Sequence, residues 1–317
     1  MLRYILRRLT AGVLSILIAS FVIFFLIHLL PGNPAYAVLG GLQGAPTAEQ
    51  VAVVTKRLAL DKPILVQYGM WLGRLLHLDL GTSFVQNVEL SQEIPKRFLR
   101  TMGLAIPALV IGALSGVALG MLSATRRGRM PDLVLTVLSL VGYSMPSFVV
   151  GAFLIILFSL HLKMFPTSGY TELAAGLGPF LRAHALPVIT LALAPLAMTL
   201  RLTRSCTLET LAADYVRTAR AKGVRESAVV LKHGLRSSLT PIVTSIGMMA
   251  GRMLGGSIIV ESLFNWPGLG VYTLQAVSTH DYPVIQAVAL VLAILFISLN
   301  MLVDVACGLL DPRITYS

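Results

Sequence analysis

Charged residues are scarce in this sequence. Only 12% of its 317 residues are Asp, Glu, Lys or Arg, whereas soluble domains carry roughly 25%. Because 56% of the residues are hydrophobic as well, the composition excludes an ordinary soluble domain. It predicts an all-α polytopic membrane protein.

Cysteines and catalytic motifs are also nearly absent. The two cysteines, Cys206 and Cys307, fall near the predicted cytoplasmic side, where thiols stay reduced, which argues against a structural disulfide. The six histidines are scattered without ligand spacing, so no metal site is expected. There is no G-x-x-x-x-G-K-[ST] phosphate loop, no H-E-x-x-H and no G-x-S-x-G element. The chain is therefore expected to be no enzyme and to hydrolyse no ATP itself.

What the sequence does contain is a series of long apolar runs. A span needs about 20 apolar residues, and the first run is too long for the roughly 7–15 residues of a signal peptide, so it is predicted to be an uncleaved span. Six transmembrane helices are predicted, at about 9–30, 100–124, 132–160, 185–204, 240–261 and 283–308.

The net charge of +11 comes from basic residues whose distribution along the chain is typical of a membrane protein. Basic residues cluster in short segments beside the apolar runs, as in the positive-inside rule, so no nucleic-acid partner is expected. With the N-terminus inside, about fifteen of the 25 Lys and Arg fall on the inner side. This predicts an N-in, C-in topology.

The spans divide the chain into three parts: residues 1–30 with the first span, an external segment at 31–99, and a five-helix core at 100–317. Helical periodicity is predicted within the external segment at Glu49–Leu60 and Pro63–Leu80. The second stretch, with its Trp and Tyr, suits either a helix lying in the headgroup region or a small cap packed on the spans.

Glycines and prolines inside the spans predict where helices pack closely and where they bend. Two glycine ladders, at Gly112, Gly116 and Gly120 and at Gly247, Gly251 and Gly255, predict close helix approach. Pro146, Pro187 and Pro195 predict kinks.

One charge lies deep in a predicted span. Arg252 is near mid-membrane by the predicted span bounds, where a charge is costly, so it is a candidate for the pathway, facing substrate or a neighbouring subunit. The alternatives are structural pairing with backbone carbonyls and a position nearer the membrane surface than those bounds place it. Glu261 and Asp304, nearer the span ends, are expected to snorkel or cap.

A polar, basic segment at residues 205–238 separates the fourth and fifth spans. We call it the polar segment. Its pattern predicts a helix from Leu208 to Lys222, a break at Gly223, and a second short helix from about Glu226 to His233. Two such helices would project as a knob, which a groove on a soluble partner can bind. A buried face is predicted from Leu211, Tyr215, Val216 and Ala219.

The polar segment resembles the coupling loop of ABC importer permeases. That loop has the loose pattern E-A-A, three residues, Gly, nine residues, I-x-L-P. Gly223 fits the glycine, Arg217-Thr218-Ala219 takes the E-A-A position, and His233–Arg236 takes the last position, with Arg217 in place of Glu and Arg236 in place of Pro. The run Asp214–Gly223 has the form found in the dipeptide/oligopeptide/nickel permease branch.

The resemblance to that branch covers nearly the whole chain. The long external segment is similar to that of the branch subunit with an extra domain after its first span. The matching pieces, in order, include Leu30–Pro34, Leu60–Pro63, Leu78–Gly81, Ser144–Phe148, Glu261–Gly270 and Asp311–Ile314.

The resemblance implies a bacterial cytoplasmic (inner) membrane protein that forms a heterodimer with a second, related permease. It implies two cytoplasmic ATPase subunits, which would use ATP and magnesium, and an external solute-binding protein; no cofactor is expected on this chain. Residues implied to couple to the ATPases are Asp214, Tyr215, Arg217, Thr218, Ala219, Ala221, Lys222, Gly223 and His233.

The cargo stays open at this point. The branch implies di- or oligopeptides, and the same architecture suits nickel chelates or another small solute. A stand-alone secondary transporter or channel is the remaining alternative, but it predicts paired internal repeats and ionisable relays that the sequence does not show.

Overall fold

The computed structural model describes residues 2–28, 47–57 and 60–310, and these residues are helical almost throughout. Within them the β-structure consists of one isolated bridge, Thr82 to Glu89. The predicted all-α class is confirmed.

Twelve α-helices occur in the described residues. The helix Ser147–Leu154 continues as a π-helix over Ile155–His161, the helix Glu226–Ala228 continues as a π-helix over Val229–Leu235, and a short 3₁₀ turn covers Leu173–Ala175. The helices are α1 Leu2–His28, α2 Ala48–Arg57, α3 Ile64–Leu76, α4 Leu90–Thr125, α5 Met130–Ser144, α6 Ser147–Leu154, α7 Leu177–Ala212, α8 Asp214–Ala221, α9 Glu226–Ala228, α10 Arg236–Leu263, α11 Leu269–Ser278 and α12 Tyr282–Leu310.

Four stretches of helix are long and apolar enough to cross a membrane: Leu6–Leu26, Leu90–Thr125, Leu177–Ala212 and Tyr282–Ala306. Two bent pairs pass the same test when each pair is taken together. These are α5 with the helix Ser147–His161, bent by 108°, and the two halves of α10, bent by 53°. The predicted number of six spans is therefore reached when each bent pair counts as one span.

The span predicted at 132–160 is formed by two helices with a sharp bend at Pro146. Pro146 has no amide hydrogen and disfavours helical geometry at the residue before it, and Met145 is accordingly extended, with φ −78° and ψ 128°. α5 ends at Ser144 for this reason, and the kink predicted at Pro146 is present. Pro187 and Pro195, by contrast, lie inside α7 without ending it.

The chain divides into two compact units, and the first comprises Met1–Arg100 with Pro267–Ser298. In this unit α3 packs as a cap, with Trp71 buried beside Phe24 of α1 and the Tyr68 hydroxyl 3.0 Å from Ser20 Oγ. The buried Asp281 carboxylate accepts hydrogen bonds from Ser83 Oγ at 2.5 Å and from the amide of Phe84 at 3.1 Å. That carboxylate holds the loop after α3 against the start of α12.

The second unit comprises Thr101–Trp266 with Leu299–Ser317. Gly112, Gly116 and Gly120 of α4 face the backbone of α7 in this unit, and we call this contact the α4–α7 seam. A Cβ on Gly116 would lie 2.8 Å from Leu196 O, and one on Gly120 would lie 2.6 Å from Leu200 O. The close approach predicted from this ladder is confirmed.

The second glycine ladder does not act as one. A Cβ on Gly247 would collide with Val303, but a Cβ on Gly255 would meet no atom within 4 Å. Close packing is therefore present at Gly247, whereas the packing predicted at Gly255 is not made within the described part of this chain.

Candidate functional site: the polar segment and the exposed face of α10

The polar segment begins as a continuation of α7. α7 runs to Ala212, Ala213 is extended with φ −71° and ψ 148°, and α8 starts at Asp214. The single helix predicted from Leu208 to Lys222 is therefore wrong, because Ala213 interrupts it. Asp214 in the first turn of α8 and Arg220 in the last turn suit the helix dipole.

α8 ends in a tight turn centred on Gly223. The Gly223 amide donates to Arg220 O at 2.9 Å and the Val224 amide donates to Ala219 O at 3.2 Å, the two bonds of a Schellman motif. Gly223 has φ +81°, and a Cβ there would meet no atom within 4 Å. Backbone conformation, rather than lack of space, requires glycine here.

An ion pair joins the two short helices on either side of that turn. Arg220 donates to Glu226 through Nη2 at 2.7 Å and Nε at 3.0 Å. The hydrogen bond from Arg220 lowers the pKa of Glu226, and the carboxylate raises the pKa of Arg220. Because the two side chains are 40% and 61% exposed, this pair orients the helices more than it stabilises them.

Most predicted coupling residues lie on the surface of α8 and its turn. Val216 is fully buried and Ala219 is half-buried, but Tyr215 is 53% exposed, so the buried face predicted for Tyr215 is wrong. The side chain of His233 lies outside the described part of the structure. The exposed members are Asp214, Tyr215, Arg217, Thr218, Ala221, Lys222 and Gly223.

The polar segment is anchored to α7 on its return. Val229 is completely buried at the start of the π-helix, and a Cβ on Gly234 would lie 3.3 Å from Thr207 Cγ2 of α7. Ser238 Oγ donates to Gly234 O at 2.7 Å where α10 begins. α8 is thus held between α7 and a packed return.

A buried carboxylate that sequence reasoning missed lies on α5. Asp132 accepts hydrogen bonds from Ser123 Oγ at 2.6 Å and from the Gly128 amide at 2.9 Å. Arg204 of α7 binds the same carboxylate through Nε at 2.7 Å and Nη2 at 3.0 Å. The sequence signal for this site is that Asp132 is an isolated acid in the first turn of a predicted span. The cluster ties α4, α5 and α7 together.

Arg252 and Glu261, two charged residues in the second half of α10, have opposite environments. Arg252 is exposed, whereas Glu261 is fully buried and accepts a hydrogen bond from Thr101 Oγ1 at 2.7 Å. The expectation that Glu261 snorkels is wrong, because its carboxylate points into the second unit. Among the described residues, no three His, Cys, Asp or Glu side chains are grouped to hold a metal ion.

Comparison with known proteins places this geometry in context. The family described as "Binding-protein-dependent transport system inner membrane component" matches residues 116–316. The family described as "Binding-prot-dependent transport system membrane comp, N-term" matches residues 1–105.

Curated relatives align over the full length of the chain. The glutathione transport system permease protein GsiC of Salmonella choleraesuis is 41% identical over 316 residues, covering 100% of both chains. The protein of the same name from Pectobacterium atrosepticum is 42% identical, again over 100% of both chains. Among solved structures, one described as an amino acid ABC transporter with histidines is 20% identical, with a TM-score of 0.49, covering 74% of this chain and 100% of that one.

Proposed function

The chain belongs to the binding-protein-dependent transport system inner membrane components, and from that premise we propose that it forms part of the translocation pathway for glutathione or similarly small peptides. As a member of this family it is a permease subunit of an ABC importer, located in the inner membrane and without an ATPase site of its own. The cargo and the coupling residues are the proposed part.

One observation carries the cargo proposal. Relatives named as glutathione permeases match this chain end to end at 41% and 42% identity. Glutathione is a tripeptide, which falls within the di- and oligopeptide class implied by the polar segment and the branch motifs. Nickel chelates and other small solutes remain the alternative cargo for the same architecture.

We propose that this subunit pairs with a second, related permease and that two ATPase subunits bind ATP and magnesium on the cytoplasmic side. A solute-binding protein would deliver the cargo from outside. The basic residues of the polar segment support an N-in, C-in orientation, with α8 on the cytoplasmic side. The division into a first span, an external segment and a five-helix core stays a prediction.

Coupling is proposed to pass through α8. Its exposed Tyr215, Arg217 and Lys222 form a small mixed apolar and basic surface beside the Gly223 turn, which suits a helix-in-groove contact. Because α8 is held between α7 and its packed return, a displacement of α8 would be passed on to α7.

Uptake in the source bacterium tests the cargo. Cells lacking this subunit should lose uptake of radiolabelled glutathione, and restoring the gene should bring it back. Uptake of a nickel chelate serves as the parallel measurement. Glutathione uptake that is unchanged by loss of the subunit, with nickel uptake abolished, would replace the peptide proposal by the metal one.

A pair of glycine variants tests the coupling. Gly223 and Gly81 have φ of +81° and +85°, and both have open space around a would-be Cβ, so Gly223→Val and Gly81→Val impose similar backbone strain. In reconstituted complexes, Gly223→Val should abolish cargo-stimulated ATP hydrolysis, whereas Gly81→Val should retain it. Equal activity in the two assembled variants would count against coupling through α8.

A further inference from the structure

α10 has two faces of opposite character. Residues on one face are buried in the second unit: Met253, Ser257, Val260 and Glu261. Residues on the other face are exposed along the same helical spacing, and we call this the α10 exposed face: Met248, Arg252, Gly255, Gly256 and Ile259. The spacing of four, seven, eight and eleven residues is that of one side of a helix, with Met248 and Arg252 before the 53° bend of α10 and the other three residues after it.

The α10 exposed face is apolar except for Arg252. No hydrogen bond or ion pair joins the Arg252 guanidinium to another of the described residues. The acid on the same helix, Glu261, is not its partner, because Glu261 is fully buried whereas Arg252 is exposed. Glu261 is instead bound to Thr101 at 2.7 Å.

Arg252 also lies far from both ends of α10 when measured along the helix. It lies about 24 Å along α10 from Arg236 and about 16 Å from Leu263 at 1.5 Å per residue, and an extended arginine side chain is shorter than either distance. A charge at that depth is costly against lipid and instead marks a polar pathway or a paired site. Next to it, a Cβ on Gly255 or Gly256 would meet nothing within 4 Å, which leaves space beside the guanidinium.

We propose that Arg252 is a specificity-determining residue of the pathway, which pairs with a carboxylate of the peptide cargo during passage. The proposal rests on the proposed function, since glutathione carries two carboxylates. A guanidinium binds carboxylates in a bidentate manner, and the two glycines leave room for the cargo to approach it. Because the cargo must leave again, one such contact gives selectivity without a tight site.

Charge restoration at this position is the first test. In a background with Cys206 and Cys307 changed to Ser, Arg252→Cys should lower glutathione uptake about tenfold, the loss typical of a charged hydrogen bond. Aminoethyl methanethiosulfonate, which returns a positive charge to the introduced thiol, should recover most of the uptake. Sulfonatoethyl methanethiosulfonate should not recover it. Met248→Cys on the same face is the matched control and should respond to neither reagent by more than about twofold.

Cargo charge gives the second test. Arg252→Gln should slow uptake of glutathione more than uptake of its glycyl ethyl ester, because the ester lacks one carboxylate. Equal slowing of both cargoes, or no restoration by the cationic reagent, would overturn the proposal. Loss of co-purification with the second permease in Arg252→Gln would also overturn it and assign the residue to the subunit interface. Wild-type cells that do not take up glutathione would overturn the proposed function instead.

Discussion

The α4–α7 seam and the polar segment both use glycine and an ion pair, for opposite physical reasons. In the seam, Gly120 is required because α7 backbone would lie 2.6 Å from a Cβ, whereas Gly223 has open space and a φ of +81°. The ion pair beside the seam, which we call the seam ion pair, joins Asp132 of α5, 7% exposed, to Arg204 of α7, 29% exposed. The pair in the polar segment is 40% and 61% exposed.

The comparison separates a rigid part of the permease from a surface part. A buried pair with four donors to one carboxylate is costly to break, while an exposed pair contributes little. Where a ladder of glycines faces a neighbouring backbone, any side chain would clash. At a turn with positive φ, a side chain has room but disfavours the backbone conformation. Glycine and an ion pair therefore accompany tight helix packing at the α4–α7 seam and an exposed surface in the polar segment.

The largest effect is expected at the seam ion pair. Asp132→Ala leaves the Arg204 guanidinium without its carboxylate, so the free energy of unfolding should fall by about 3 kcal/mol. Unfolding in mixed detergent micelles measures this change. Arg220→Ala, in the exposed pair, is the matched control and should change it by less than about 1 kcal/mol. A double variant, Asp132→Ala with Arg204→Met, should recover much of the loss; equal losses at Asp132 and Arg220 would contradict the distinction.

An intermediate effect is expected from glycine in the seam. Gly120→Ala forces α4 away from α7, since a Cβ there would also lie 2.7 Å from Thr203 Cβ, and it should cost about 1–3 kcal/mol. Gly256→Ala, on the α10 exposed face, should instead be neutral or stabilise by up to about 1 kcal/mol through helix propensity. Thermal denaturation in nanodiscs compares the two variants. A similar loss from Gly256→Ala would mean that its face is packed.

The smallest effect is expected from pH at the exposed pair. Arg220 lowers the folded-state pKa of Glu226 below its ordinary value of 4.5, so the pair's contribution is fully present above that value and is lost as pH falls through the folded pKa. The difference in unfolding free energy between wild type and Glu226→Gln should be about 0.5 kcal/mol or less at pH 7. This difference should vanish in strong acid, where Glu226 is protonated. A difference that persists there would not come from the Arg220–Glu226 ion pair.

Local patterns in the sequence predicted several local features of the fold. The turn at Gly223, the bend at Pro146 and the seam glycines each follow from properties of single residue types at fixed spacing. The predictions fail where packing decides the outcome. Tyr215 is exposed on α8, Glu261 is buried, and the helix is interrupted at Ala213. Periodicity identifies a stripe, but it does not say which neighbour covers the stripe.

Sequence alone determined that this chain is an α-helical membrane protein whose polar segment resembles a coupling loop, because composition, apolar run length and motif order need no contacts to be recognised. Only the tertiary structure decided the partners of its charges. Asp132 meets Arg204 across 72 positions and Glu261 meets Thr101 across 160. The folding of distant helices onto one another determines which charges are buried in pairs, and which, like Arg252, are left exposed.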